Sequence, residues 1–541
     1  MVEQASSSAA QLAAGPDGAP MGWRLALRRA AGRLAALAAI AVLSGCASAP
    51  PVASLERSVA HAPRPDGLLA AEESRILAQE GLGQSGFVLL EANQEALDWR
   101  LAIVDAARHS LDLQYYVWFG DDVGTLLMLR VIDAADRGVR VRILFDDLNT
   151  MLRDMAHVEL RDGFLASISR HPNIEIRVFN PWRDRSLPGR LIDLAVEFGR
   201  LNRRMHNKQM IVDNRVAIIG GRNIADEYFG LNRDFNFHDL DVLGVGPVAR
   251  QASAVFDRYW NSGWVGTIPA VAGVAAPLTV ASRQAEVARL LSKPGLQRAV
   301  ATRGARQQLF ASLPDRLAGG SSSTHADAPT PAQEHRNQVS SALRALMGTA
   351  RRELLITNAY IIPDPEFIDE LSQLSARGVT VRILTNSLSS HDVPAVNSHY
   401  QQWRIPILKT GSLLYELRAD PMMRSTVVEI PPTRANCVGL HTKALVVDRE
   451  VAFVGSMNLD PRSEFLNTEM GVVIRSARLA GELARRMDRD MGGENSWKVS
   501  LDPGGNLRWR SDAGQLDDQP ARNALQWVEN FMFRFFPSDL Y

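Results

Sequence analysis

Apolar residues along this chain recur at two spacings, every second position and every third to fourth, and the two rhythms alternate. A helical pattern over Ala96 to Arg108 is followed by the alternation Leu111, Leu113, Tyr115, Val117, which predicts a half-buried strand. A second helix is predicted from about Gly124 to Asp136, stopped at Arg137-Gly138. Val139 to Phe145, rich in branched residues, is then a strand ending in Asp146-Asp147. The same passage recurs downstream: Arg377-Gly378-Val379-Thr380-Val381-Arg382-Ile383-Leu384 repeats Arg137-Gly138-Val139-Arg140-Val141-Arg142-Ile143-Leu144 at an offset of 240 residues. Its preceding strand, Leu354 to Ile362, and helix, Pro365 to Ala376, come in the same order. The chain is therefore an internal duplication, and alternating strands and helices predict an α/β fold of two lobes, each a mixed sheet flanked by helices.

The lobes are expected over 81–300 and 301–500, with a tail at 501–541. Ala318 to Gln333 holds Gly319-Gly320-Ser321-Ser322-Ser323 and Pro329-Thr330-Pro331, a composition expected of a flexible interlobe loop. Residues 47–80 are Ala-, Ser- and Pro-rich at first, with Pro50, Pro51, Pro63 and Pro65, and are expected to form a tether. Ahead of them Arg24, Arg28, Arg29 and Arg33 precede an apolar run from Leu34 to Leu43, which suits a secretory signal better than a permanent span. The run ends in Leu43-Ser44-Gly45-Cys46, which resembles a bacterial lipobox; that resemblance implies a signal peptide over 1–46, lipidation of Cys46, and, with Ala47 following, an envelope lipoprotein facing the periplasm, at the outer rather than the inner membrane. Met21 is an alternative start to Met1, and either leaves Cys46 as the anchor.

Charge changes the picture by subtraction. Sixty Lys and Arg balance sixty Asp and Glu in 541 residues, so no global field draws in nucleic acid. With only Cys46 and Cys437 in the chain, a lipidated Cys46 leaves no intramolecular disulfide, and a core drawn from 46% apolar residues must hold the fold.

The chemistry sits in a pattern that occurs once in each half: Met205-His206-Asn207-Lys208-Gln209-Met210-Ile211-Val212-Asp213 and Leu440-His441-Thr442-Lys443-Ala444-Leu445-Val446-Val447-Asp448. Both read H-x-K-x-x-x-x-D, and a single chance copy is expected in roughly a few of every hundred chains this long. Each is followed at equal distance by a glycine turn and an asparagine, Gly220-Gly221-Arg222-Asn223 and Gly455-Ser456-Met457-Asn458. If 206–212 and 441–447 are strands, His206 and Lys208 share a face, as do His441 and Lys443, while Met210, Val212, Leu445 and Val447 carry that face into the core. Asp213 and Asp448 then fall at strand ends. The turns would bring backbone and short polar side chains, with Asn223 and Asn458 as donors, close to an oxyanion. A lone histidine on a strand is more often structural, but two aligned copies favour a site. Lysine is no zinc ligand and no Cys or H-x-x-x-H cluster accompanies the motifs, so a metal is not expected. His238, His391 and His399 lack such a context and are expected to be structural or solvent-facing.

These motifs resemble those of the phospholipase D superfamily from about Leu89 to Arg475, most of the expected mature chain. The resemblance implies one site built from both lobes, with His206 as nucleophile on phosphorus, His441 as general acid, and no cofactor. It also marks an acidic residue past each motif as the group that orients the histidine: Asp239, with Asp241 as a substitute candidate, and Glu469. Arg200-Leu201-Asn202-Arg203-Arg204-Met205-His206-Asn207-Lys208, Asp460-Pro461-Arg462-Ser463 and Asn467-Thr468-Glu469 resemble the C-type bacterial cardiolipin synthases. That implies phosphatidyl transfer to phosphatidylglycerol, with phosphatidylethanolamine or a second phosphatidylglycerol as donor, through a phosphohistidine. A hydrolytic phospholipase D and a non-catalytic lipoprotein scaffold are the alternatives. The basic amphipathic stretch Arg183 to Arg204 is divided evenly between lipid contact and packing. The cluster Trp527, Val528, Phe531, Phe533, Phe535 and Phe536 leans toward a membrane interface.

Overall fold

The computed structural model describes residues 55–81, 83–147, 165–184, 187–267, 279–300, 303–329 and 337–535. The signal peptide, Cys46, Pro331 to Gln333 and Phe536 lie outside the described residues. The described residues divide into two units, one at 183–184 and 187–201 and the other comprising the rest.

Within the second unit, the first half supplies β1 (Ser85–Leu90), β2 (Ser110–Tyr115), β3 (Arg140–Asp146), β4 (Ile174–Phe179), β5 (Gln209–Val212), β6 (Val216–Gly220), β7 (Phe235–His238), β8 (Asp241–Val245) and β9 (Val265–Thr267). The next stretch supplies β10 (Ala318–Ala326), β11 (Glu353–Asn358), β12 (Thr380–Asn386), β13 (Leu413–Leu417), β14 (Cys437–Leu440), β15 (Lys443–Val447), β16 (Val451–Gly455), β17 (Met470–Arg475) and β18 (Ser496–Leu501). Pairing runs β1–β8–β6–β5–β2–β3–β4–β9 in one lobe and β10–β17–β16–β15–β11–β12–β13–β18 in the other. The two orders match strand for strand, and in each sheet three neighbouring strands, β2–β3–β4 and β11–β12–β13, run parallel while the remaining contacts are antiparallel, so each sheet is mixed. The repeated segments run from the helix-ending Arg137-Gly138 and Arg377-Gly378 into β3 and β12, and the helix Pro365–Ala376 has the predicted bounds.

Each sheet's core face is filled as the alternation requires. Leu113, Val141, Ile143, Met210 and Val212 belong to one buried cluster, and Ile356, Val381, Ile383, Leu445 and Val447 to another.

Three expectations about connections are corrected. The Gly/Ser segment is not a flexible loop in its described part: Ala318–Ala326 is β10, antiparallel to both β1 and β17, and it joins the two lobe sheets through their edges. Small residues suit this place because the strands meet closely; a Cβ on Gly320 would lie 2.6 Å from the Arg475 carbonyl oxygen. The tether is also bound over its described part. Ser58 and Ala60 donate their amides to Asn261 and Asp257, Arg142 and Arg177 donate to the carbonyls of Ser58 and Glu56, and Leu68–Glu80 is a helix. Beyond residue 500, Leu507–Ser511 (β19) pairs with β18 and Gly514–Leu516 (β20) with β19, so this stretch extends the second sheet. The helix Ala524–Met532 follows it.

The smaller unit contributes the helices Leu187–Val196 and Phe198–Leu201, with Arg183 and Arg200 ion-paired to Glu197 and with Ile192 and Val196 exposed.

Candidate active site

The two motifs meet because each lobe lends a short segment to the other. β7 pairs in parallel with β14, and an isolated bridge links Met205 to Thr468. Through these contacts the His441 amide donates to the His238 carbonyl and the His206 amide to the Thr468 carbonyl, both at 2.8 Å. The histidines lie just before the motif strands, not within continuous strands over 206–212 and 441–447: β5 begins at Gln209, and His441 sits between β14 and β15. The interlobe ladder replaces part of the expected hairpin pairing.

The crossing extends to the side chains. His206 Nδ1 lies 2.9 Å from Glu469 Oε2 and 3.0 Å from Oε1, while His441 Nδ1 lies 2.6 Å from Asp239 Oδ2. Each histidine is thus oriented by the carboxylate that follows the other motif, the reverse of the order along the chain. Asp241 cannot substitute for Asp239, because it forms buried ion pairs with Arg100 and Arg222 at 2.8 and 2.9 Å. With Nδ1 committed as a donor, Nε2 is the atom of each ring that can meet a substrate.

The matched turns differ in a way that bears on these carboxylates. Ser456 Oγ donates to Glu469 Oε2, whereas the matching residue of the first turn is Gly221, where a Cβ would lie 2.3 Å from Asp239 Oδ1. Glycine is needed there to let Asp239 approach. The segment expected to be a loop contributes as well: Asp327, just past β10, accepts the Glu469 amide at 2.7 Å and the Val339 amide at 2.9 Å.

Lys208 and Lys443 are buried, and each donates to the carbonyl of its own motif histidine, at 2.7 and 2.6 Å. Tyrosines that the motif reading missed complete the surroundings. Tyr116 packs edge-on to His206 with centroids 5.0 Å apart and takes Lys208 Nζ over its ring at 5.2 Å; Tyr360 stands 5.7 Å from Lys443 Nζ, and Tyr228 packs edge-on to His441. Tyr116 and Tyr360 each follow the end of a matching strand, β2 and β11, and that position in the repeat was the available signal.

Burial, followed by the charge of Lys208, pushes His206 well below the usual imidazole value. Burial and Lys443 also lower His441, but Asp239 opposes them. Asp239 is pushed up by burial yet held below the usual carboxylate value, chiefly by His441. Glu469 is driven by burial up to about 7, against Lys208 and the Ser456 hydroxyl. Lys443 is lowered by burial to about 8. His206 is therefore the more strongly neutral imidazole, and His441 the one better supported as a cation.

Three expected site residues have other tasks. Asp213 accepts the amides of Arg108, His109 and Ser110, and Asp448 those of Arg351, Arg352 and Glu353, so both carboxylates tie the motif strand to the start of its neighbour. Both adopt positive φ, 51° and 53°, in the turns that close the motif hairpins. Asn223 accepts the Val117 amide and donates to the Tyr228 hydroxyl, which makes it a brace for that ring. Asn458 is buried with its Oδ1 unbonded. His238, His391 and His399 are all buried, so none faces solvent. Among the described residues, one His/acid set lies within metal-binding reach, Glu91, His238 and Asp490; Arg486 and Arg489 pair with Glu91, Arg489 also pairs with Asp490, and neither motif histidine belongs to it.

The chain matches the family model described as "Cardiolipin synthase, PLD-like domain" over residues 101–260 and 343–491, one match in each lobe. It is 34% identical over 445 residues to cardiolipin synthase C of Escherichia coli (strain K12), covering 80% of this chain and 90% of that one. It is 26% identical to cardiolipin synthase 1 of Bacillus cereus over 74% of this chain and 65% of that one. In fold it resembles the crystal structure of a phosphatidylserine synthase from Haemophilus influenzae Rd KW20, with a TM-score of 0.53 and 11% identity, over 79% of this chain and 92% of that one.

Proposed function

The chain belongs to the phospholipase D superfamily, and from that premise we propose that it is a cardiolipin synthase-like enzyme, moving a phosphatidyl group from a phospholipid donor onto phosphatidylglycerol. The observation that carries the reading is the pair of imidazoles held at Nδ1 by carboxylates from opposite halves, each beside a buried lysine.

His206 is the nucleophile. Its neutral Nε2 attacks the donor phosphorus, a P–N bond forms, and the P–O bond to the donor headgroup breaks with its electron pair leaving on oxygen. His441 delivers its Nε2 proton to that oxygen, releasing glycerol or ethanolamine as the free alcohol. Glu469 stabilises the positive imidazole of the phosphatidyl-histidine through Nδ1–H. In the second half, His441 takes the proton of a phosphatidylglycerol hydroxyl; that oxygen attacks phosphorus, the P–N bond breaks, and its electron pair returns to His206. Lys208 and Lys443 offset charge on the non-bridging oxygens in both steps. Water in place of the lipid alcohol would yield phosphatidic acid from the same intermediate.

The test is incubation of purified protein with labelled phosphatidylglycerol and phosphatidylethanolamine, beside His206→Ala, with the lipid products resolved. Cardiolipin that disappears in the variant is the expected result, and the lipid losing label names the donor; phosphatidic acid as the sole product would overturn the transferase reading in favour of a hydrolase. Anchorage of the enzyme through an acylated Cys46 in the cell envelope, at the periplasmic side of the outer membrane, belongs to the same proposal and rests on the lipobox sequence. Incorporation of labelled palmitate that persists in Cys46→Ala would refute the acylation, and recovery of the protein with inner-membrane vesicles would refute the sorting.

A further inference from the structure

The helix Ala524–Met532 is built inside out. Its buried residues are polar, Gln526 and Asn530, whereas Leu525, Trp527, Val528 and Met532 are 64, 41, 57 and 54% exposed. At about 100° per residue these four, with Ala524, spread over an arc of roughly 160°, and the two polar residues lie opposite. The polar underside is satisfied by the protein. Gln526 donates to the Leu388 carbonyl and accepts the Arg522 amide; Asn530 accepts from Asn397 at 2.7 Å. Rolling the helix to hide its apolar side would break these bonds and bury unpaired amides, so its orientation is fixed with the apolar face outward. Trp527 also lines one cleft with Ile405 and another with Leu516, both exposed at the surface, which widens the apolar region beyond the helix.

We propose that this face docks on the phospholipid bilayer, seating the second lobe at the interface that holds the substrates; the choice of a lipid surface rests on the phosphatidyltransferase reading. Size favours a bilayer over a protein. The helix is about 14 Å long and about 10 Å wide, a projected area of roughly 140 Å², and Ile405 and Leu516 add one side chain each at its margin, which leaves the face well short of the roughly 800 Å² per partner of a stable protein interface. A bilayer needs only a few inserted side chains, and Trp527 with the exposed Arg534 one turn beyond the helix is the pairing of an amphipathic ring and a cation that suits the headgroup layer.

The test uses full-length protein carrying His206→Ala, so that no turnover occurs and the result is independent of the catalytic reading. Cys46→Ala leaves Cys437, which is 1% exposed, as the remaining native thiol, and Val528→Cys carries an environment-sensitive nitrobenzoxadiazole label. Vesicles of phosphatidylglycerol and phosphatidylethanolamine with brominated acyl chains should shift its emission to the blue and quench it, while a label at Gln515→Cys on exposed β20 should show neither effect. In a Met532→Cys protein labelled in the same way, replacing both Leu525 and Trp527 by Gln should raise the lipid concentration for half-maximal shift by roughly tenfold. The otherwise wild-type double variant should keep its activity on short-chain monomeric phosphatidylglycerol. A label at 528 that stays open to aqueous iodide and escapes the bromolipid overturns the proposal, as does a dimer in solution that dissociates on the double substitution without any quenching in vesicles.

Discussion

If the orienting carboxylates are crossed, Glu469→Gln and Asp239→Asn should fail at different chemical steps. Glu469 is fully buried and accepts from His206 Nδ1 at 2.9 Å. Neutralising it removes the partner of the imidazole that becomes cationic when His206 bonds phosphorus. Breaking a buried charge pair costs about 3–5 kcal/mol, which at about 1.4 kcal/mol per decade is a loss of roughly 10²–10⁴ in kcat/KM. Asp239→Asn should cost a similar factor on a natural donor, but by weakening His441 as the acid that protonates the leaving alkoxide. The assay is kcat/KM on two soluble short-chain phosphatidyl esters, one releasing glycerol and one releasing p-nitrophenolate, which leaves without a proton. On the nitrophenyl ester Asp239→Asn and His441→Ala should recover to within about tenfold of wild type, because the step they impair is bypassed. Glu469→Gln should remain down by its full factor, because nucleophilic attack is still required. The opposite pattern, with Glu469→Gln rescued and Asp239→Asn not, would refute the crossing and the assignment of His206 as nucleophile taken together, and His441→Ala, rescued only if His441 is the acid, would tell which of the two failed.

The same geometry carries further predictions. In the free enzyme His206 must be neutral and His441 protonated, so kcat/KM should be bell-shaped, and because burial lowers His441 the base limb should fall below pH 6.5; a base limb above 6.5, or a flat profile, would contradict this. A second decline near pH 8 should follow as Lys443 loses its proton, and it should vanish in a Lys443→Arg protein that remains active. Asp448→Asn should lower stability by about 1–2 kcal/mol while leaving kcat of the folded fraction nearly unchanged, since the carboxylate binds three amides and no reacting group. Burial would raise the Asp448 carboxyl, but the amides of Glu353, Arg352 and Arg351 hold it below the usual value. Its contribution is thus present above about pH 4 and lost as pH falls through the folded pKa, so wild-type and variant denaturation midpoints should converge in acid. Ser456→Ala should reduce kcat/KM by about tenfold through the lost hydrogen bond to Glu469, with Ser456→Thr recovering most of it; an unchanged rate would show that Glu469 holds its place without the hydroxyl.

Local pattern carried much of this molecule. The 3.6- and 2-residue rhythms of apolar side chains identified the opening strands and helices of the two repeats, because burial of one face is a local requirement that each segment must meet by itself. The repeat at Arg137 and Arg377 predicted matched strands. What escaped was whatever depended on a distant partner. Ala318–Ala326 reads as a loop by composition and becomes a strand because two edge strands supply its hydrogen bonds. Asp213 and Asp448 belong to the motif by spacing, yet their oxygens turn toward backbone amides about 100 residues away in sequence. His206 pairs with Glu469, and His441 with Asp239, because each lobe lays a short segment along the other, a contact that leaves no periodic trace in either segment. By itself the sequence determined the two-lobed α/β class, the duplication and the histidines and lysines of the candidate site. Only the tertiary structure decided which carboxylate serves which histidine and which face of the last helix meets the surroundings, since both depend on groups that become neighbours only when the chain has folded.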